Sequence, residues 1–238
     1  MIALLTLSAA LAGEQHLQYD LVVNGATVGT REVTVRYLDR PSGERRIVES
    51  VTKLAFAGQD LTCRAVGQSS RGSATFSSQT QLNGKLAQYQ GVYTSGGGWA
   101  LTLAGGGEVQ TITYKPTDPV LTSLDLVDPG RASSLAYGGK ATLFFVETAD
   151  TFSGTLGGGT AGTLKVGSAT VPTTTWTLAV DGGGTASFAL DQDGLLLRSE
   201  VTWLGVKVVA SLHELPAARD FGTVDIEGFD QGVQEQGL

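Results

Sequence analysis

Thr173-Thr-Thr-Trp176-Thr-Leu178-Ala-Val180, a turn at Asp181-Gly182-Gly183-Gly184, and Thr185-Ala-Ser-Phe188-Ala-Leu190 begin the stretch that decides the fold. A second turn, Asp191-Gln-Asp193-Gly194, leads into Leu195-Leu-Leu197-Arg-Ser199-Glu-Val201-Thr-Trp203. The last leg is Leu204-Gly205-Val206-Lys-Val208-Val-Ala210-Ser-Leu212. The legs are rich in β-branched and aromatic residues, which suit a pleated, half-buried surface, and Asp/Gly clusters separate them. The pattern predicts an antiparallel meander ending near Leu215.

The same grammar recurs upstream. Leu17-Gln-Tyr19-Asp-Leu21-Val-Val23 alternates apolar and polar residues and stops at Asn24-Gly25, a strong two-residue hairpin signal. On the return leg Val33, Val35 and Tyr37 fall on one face and Glu32, Thr34 and Arg36 on the other, so the second face is wet. In Arg45–Phe56 the residues Val48, Thr52, Leu54 and Phe56 share a side. Strands are expected at Leu61–Gln68, Ala74–Leu82, Leu86–Thr94, Trp99–Leu103 and Val109–Lys115, with Asn83-Gly84 as a second hairpin turn.

From Pro116 the pattern changes. Two Asp-Pro breaks, at Asp118-Pro119 and Asp128-Pro129, interrupt Pro116–Gly139, and only Ser133–Tyr137 suits a short helical turn. The segment reads as a non-strand crossover between two meanders or as a boundary between two sheets. Strands resume at Ala141–Glu147, where Leu143-Phe144-Phe145-Val146 fits a strand buried on both faces. Thr151–Lys165 reads as a loose hairpin turning at Gly157-Gly158-Gly159. About twelve strands and almost no helix result. The expected fold is all-β with few short helical turns: a large curved antiparallel sheet or unclosed barrel of meander topology.

Glycine is the compositional outlier, at 33 of 238 residues, about twice ordinary usage. No collagen period accompanies it, so it belongs to turns and loops. The net charge of -7 is uneven: residues 1–119 carry ten Lys/Arg and nine Asp/Glu, residues 120–238 six and fourteen. Such a balance excludes a basic nucleic-acid surface and suits anionic headgroups poorly. Cys63 is the single cysteine, so no intramolecular disulfide can form.

Residues 1–12 are apolar, and Ala10-Leu11-Ala12 has the small-x-small form of a signal-peptidase site. The expected organisation is a signal peptide over 1–12, one β domain over 13–215, and an acidic, frayed tail over 216–238, with export to the periplasm or medium. No later run approaches the ~20 apolar residues of a membrane helix.

Tyr19-Asp-Leu-Val-Val-Asn-Gly25-Ala-Thr-Val28-Gly29, the mid-chain Leu124-Asp-Leu-Val-Asp-Pro129 and the run from Trp176 to Leu212 together resemble periplasmic β-sheet domains related to the LolA-like, lipoprotein-localisation superfamily. The resemblance spans most of residues 17–215 through turn and strand patterns. It implies a strongly curved antiparallel sheet whose concave face holds acyl chains or is plugged by short helices, and it transfers no catalytic residue.

Chemistry-bearing motifs are sparse. His16 and His213 lack metal-ligand spacing, and no cofactor is implied. Asp191-Gln-Asp193-Gly194 imitates the start of a calcium loop but lacks its bidentate Glu, and it reads as a hairpin turn. Cys63 has no nucleophile motif around it and reads as a small buried hydrophobe. Asp118, Asp125 and Asp128, followed by Glu147 and Asp150, are the only carboxylate grouping that suggests hydrolysis; Asp in turns and caps is the plainer reading. Trp176, Phe188 and Trp203 sit on adjacent legs and form either a ligand-lining wall or core packing. The favoured expectation is a non-enzymatic envelope protein that takes an apolar ligand or lipid on the concave face. A module that binds envelope protein partners is second, and a hydrolase using loop carboxylates third.

Overall fold

Period-2 alternation makes each leg a strand with one apolar face, and a single sheet can bury that face only by curling around it. The computed structural model describes residues 11–38, 45–70, 72–115, 120–132, 135, 138–203, 206–216 and 220–223. The first arm is an eight-strand meander: β1 (Leu11–Val23), β2 (Ala26–Leu38), β3 (Arg45–Phe56), β4 (Gln59–Ser70), β5 (Ser73–Leu82), β6 (Lys85–Thr94), β7 (Gly98–Gly105) and β8 (Glu108–Tyr114). The second comprises β9 (Val120–Thr122), β10 (Gly139–Phe144), β11 (Thr151–Val166), β12 (Ala169–Val180), β13 (Thr185–Leu190), β14 (Leu196–Trp203) and β15 (Val206–Leu212).

The arms join where Tyr19–Val22 of β1 pair with Val209–Leu212 of β15. The order then runs from β8 through β1 and β15 to β9, so β8 and β9 are the two edges. The sheet is nearly closed into a barrel with one unsealed seam. A final strand, β16 (Asp220–Thr223), pairs with Leu11–Glu14 of β1. The sheet therefore reaches past the expected 13–215 limits at both ends. Residues 1–10 of the expected signal segment and 224–238 of the tail lie outside the described residues.

Several expectations need correction. Among the described residues the strands number sixteen, because the weakly apolar, exposed ones such as β8 still complete the ladder. The sheet is mixed: β9 lies inside the supposed non-strand crossover and pairs in parallel with β10 (Val120↔Thr142). Two helical elements in that crossover, a 3-10 turn at Asp125–Val127 and α1 (Pro129–Ala132), were not expected; within the expected helical turn Ser133–Tyr137 the one described residue, Leu135, is in 3-10 conformation. Thr151–Val166 is one continuous strand. Its hairpin turns at Gly167-Ser168, and Gly157–Gly159 instead carries a bulge between Gly158 and Thr160. Gly158 has φ +121°, and a Cβ there would lie 2.9 Å from the Thr175 carbonyl oxygen, so the position demands glycine. β10 ends at Phe144 rather than Glu147.

Closure at the seam side is made by side chains. Phe76 of β5 packs on Trp99 of β7 (ring centroids 5.9 Å) and, across the interior, on Phe144 of β10 (5.5 Å). Its ring lies over Gly91, where an added Cβ would come within 2.2 Å of Phe76 Cε1. Gly194 (φ +83°) likewise lets the β13–β14 turn approach Pro129 of α1. Phe76→Ala should lower stability by about 3–5 kcal/mol, read as a reduced midpoint in urea unfolding, because it opens a cavity shared by both arms.

Candidate functional site

Buried backbone polar groups must find partners, and the turn from β10 to β11 must therefore bring or meet hydrogen-bonding groups inside the barrel. The turn closes locally through Ala149 N–H to the Phe145 carbonyl (2.8 Å) and Phe145 N–H to the Asp150 carbonyl (2.9 Å). Its outward-looking carbonyls at Val146 and Glu147 accept from the Ser78 and Thr80 hydroxyls of β5, each at 2.7 Å. Val146 N–H donates to Ser123 Oγ (3.2 Å), which itself donates to Glu147 Oε2 (2.7 Å).

Arg31 meets this turn from β2. Its Nη2 lies 3.1 Å from Glu147 Oε1 and donates to the Ser123 carbonyl (3.2 Å), while Nε donates to Ser50 Oγ (3.0 Å). The two side chains are only 12% and 9% exposed, so this is a buried ion pair. Arg31 is cross-strand partner of both Tyr19 and Thr52, and Thr52 of Cys63. A polar row thus crosses the floor of an otherwise apolar face. Burial and then the charge of Glu147 push the Cys63 thiol up to about 12.

A cavity of about 90 Å³ opens over this row. Leu21, Leu54 and Leu61 wall one side, Val201, Val208 and Ala210 the other, and Phe145 the top; Arg31, Thr52, Glu147, Thr148 and Ser199 supply the polar part. An adjoining outer chamber of about 420 Å³ shares Leu54 and Val208 and adds Val23, Phe56, Ala57, Gln59 and Val206. Apolar walls with few convergent polar groups are the usual make-up of a small-molecule site.

The residues singled out in the sequence lie elsewhere. Trp176 and Phe188 are direct cross-strand partners on β12 and β13; Phe188 is fully buried, Trp176 half-buried against the core, and neither lines these chambers. The backbone of Trp203 pairs with Val206, and its side chain lies outside the described residues. Asp118 is also outside them. Asp125 Oδ2 accepts from Thr122 N–H (2.8 Å) and Thr122 Oγ1 (2.9 Å), while Asp128 lies 3.6 Å from Arg46. Both line a separate recess of about 20 Å³, room for about one water molecule. Asp150 accepts from Thr148 Oγ1 (2.6 Å). His213 contacts Asp20 (2.9 Å), which raises its pKa, and the Asp191 carboxylate caps its own turn at Asp193 N–H and Leu195 N–H.

Arg31, Thr52 and Glu147 escaped the sequence search as a group. Arg31 occupies the same phase as Val33, Val35 and Tyr37, and a cation on an apolar strand face was the available signal.

No protein-family model matches the chain, and no curated protein matches it significantly. Among solved structures the chain is similar to a "Beta-barrel-like Protein of Domain of Unknown Function DUF1849 from Brucella abortus". The match covers 90% of this chain and 100% of that one, with a TM-score of 0.55 and 13% identity. The likeness is one of fold.

Arg31→Met leaves Glu147 buried without its countercharge and should cost about 3–5 kcal/mol in chemical unfolding, whereas adding Glu147→Leu should restore most of that loss. At pH 8, maleimide should label Cys63 of the folded chain on the order of 10²-fold more slowly than the unfolded chain, because burial suppresses the thiolate.

Proposed function

We propose that this is an exported, non-enzymatic envelope protein that holds an apolar small molecule or lipid within its curved sheet. The observation that carries the reading is the pair of adjoining chambers between β1–β4 and β14–β15. Their walls are mainly Leu, Val, Phe and Ala, and their volumes are about 90 and 420 Å³. Transfer of an alkyl chain into such walls gains roughly 0.8 kcal/mol per buried methylene. The resemblance to LolA-like domains supports an acyl-chain ligand, and the apolar residues 1–12 with Ala10-Leu11-Ala12 support export.

A second reading, an assembly module for envelope proteins, draws on β8. It is a sheet edge, and its Val109 is 72% exposed, with Val92 and Leu86 of β6 also exposed. An exposed edge strand is a template for pairing with another chain.

Native mass spectrometry and solvent extraction of the full chain purified from an envelope-bearing host should find a bound lipid or lipid-like molecule. The purified chain should also bind Nile red, with binding weakened by Leu54→Asp or Val208→Asp. A chain that carries no such molecule, ignores apolar probes and copurifies with a stoichiometric envelope protein would overturn the ligand reading in favour of the second.

A further inference from the structure

Asn-Gly occurs twice in the chain, at Asn24-Gly25 and Asn83-Gly84, each time as the two-residue loop of a hairpin, β1–β2 and β5–β6. The backbone is the same at both: φ is +51° and +81° at the first pair and +50° and +79° at the second. Positive φ at both loop residues is what a type I′ hairpin turn demands, and Asn-Gly supplies it with least strain. The same dipeptide is open to intramolecular cyclisation, because glycine has no Cβ to shield its amide nitrogen from the preceding carboxamide. Both asparagines are exposed, and a Cβ on either glycine would meet nothing within 4 Å, so packing protects neither turn.

Hydrogen bonding separates them. Asn83 docks on the β3–β4 turn: its Nδ2 donates to Gln59 Oε1 (2.7 Å), its Oδ1 accepts from Asp60 N–H (2.7 Å), and its own N–H donates to the Asp60 carbonyl (2.8 Å). Cyclisation must swing Cγ over the Gly84 nitrogen, which breaks both side-chain bonds. The Asn24 carboxamide has no hydrogen-bond partner among the described residues. Its ladder also shifts register between Leu21 and Val22, close to the turn, whereas β5–β6 pairs without a break from Ser73↔Thr94 to Leu82↔Lys85.

We propose that Asn24 is a site of spontaneous covalent modification, deamidation through a succinimide, and that docking on the β3–β4 turn withholds Asn83 from the same reaction. The Gly25 amide nitrogen bonds to Asn24 Cγ and gives up its proton; the Cγ–Nδ2 bond breaks, and Nδ2 takes a proton and leaves as ammonia. Water then opens the ring. Attack at Cγ gives an aspartyl link, and attack at the backbone carbonyl carbon routes the chain through Cβ as an isoaspartyl link. Ammonia is lost, water is gained, and nothing is oxidised or reduced. Each product carries a carboxylate where the amide was, and the isoaspartyl link adds a methylene to the backbone of the loop. Val23 precedes the turn and lines the outer chamber, so both changes fall at that chamber's rim. The inference holds whether or not the chamber takes a ligand.

The test is a time course of the full chain in mildly alkaline buffer, folded and in urea, read by peptide mapping with electron-transfer fragmentation, which tells isoaspartyl from aspartyl links. In the folded chain position 24 should be modified on the order of tenfold faster than position 83, the factor that two intact side-chain hydrogen bonds imply. In urea the two positions should react at comparable rates, which removes local sequence as the cause. Asn24→Gln should abolish the more acidic species that isoelectric focusing resolves first. Gln59→Ala removes one of the two bonds and should speed position 83 while leaving position 24 unchanged. Equal rates in the folded chain, earlier modification of position 83, or modification of position 24 in urea alone overturns Asn24 as the native site. A position 83 no faster in a Gln59→Ala chain of unchanged melting temperature overturns docking as what protects it.

Discussion

A curled sheet that does not seal its seam must satisfy the polar backbone of whatever it wraps around. Here that demand falls on the β10–β11 turn, which enters the interior with two carbonyls and a carboxylate. Ser78 and Thr80 answer the carbonyls, while Ser123 and Arg31, the latter held in turn by Ser50, meet the carboxylate. Each of these groups would cost free energy if buried alone, so the set holds together or fails together. The arrangement binds β2, β3 and β5 of one arm to β10 and the crossover of the other. No ladder hydrogen bond joins those arms at the seam among the described residues, so side chains do the joining, this polar row and the Phe76–Phe144 contact among them.

The net contribution of such a buried ion pair to stability is small, because desolvation offsets most of its attraction. Its consequence is positional. Glu147 has one place where its charge is balanced, and that place sets the height of Phe145 above the floor of the sheet. The inner chamber is the space left between them, and its polar end is a by-product of the same constraint. Scaffold and candidate site therefore share residues, which explains why no separate catalytic or ligand motif stands out in the chain.

The crossover from Pro116 to Gly139 has a parallel role. Thr122 and Asp125 cap one another, Asp128 faces Arg46, and Leu124 packs onto Gly67, so irregular backbone is accommodated inside the barrel. Asp125 and Asp128, which suggested chemistry when read in sequence, serve these contacts. The short β9 strand and helical turns fill the interior at the seam end and leave the chambers confined to the β1–β4 and β14–β15 side.

Most strands, the hairpins at Asn-Gly and Asp-Gly turns and the all-β class were legible in the chain because alternation, with its period of two residues, and these turn pairs are local signals. Val33 and Val35 against Glu32 and Thr34 already told the inner face from the outer. The bulge at Gly158 was not legible, since a glycine triplet reads equally as a turn, and only the approach of Thr175 and Trp176 distinguishes the two. Nor was the three-residue β9, too short to show any period and paired in parallel with a strand seventeen residues on. The site was visible only in fragments: Thr52 on the inward side of its strand, Glu147 after an apolar run, Arg31 in phase with valines. Sequence alone determined which residues face inward. Which inward residues meet depended on how far the sheet curls, and that is decided by packing and charge balance between positions more than a hundred residues apart, such as Arg31 and Glu147.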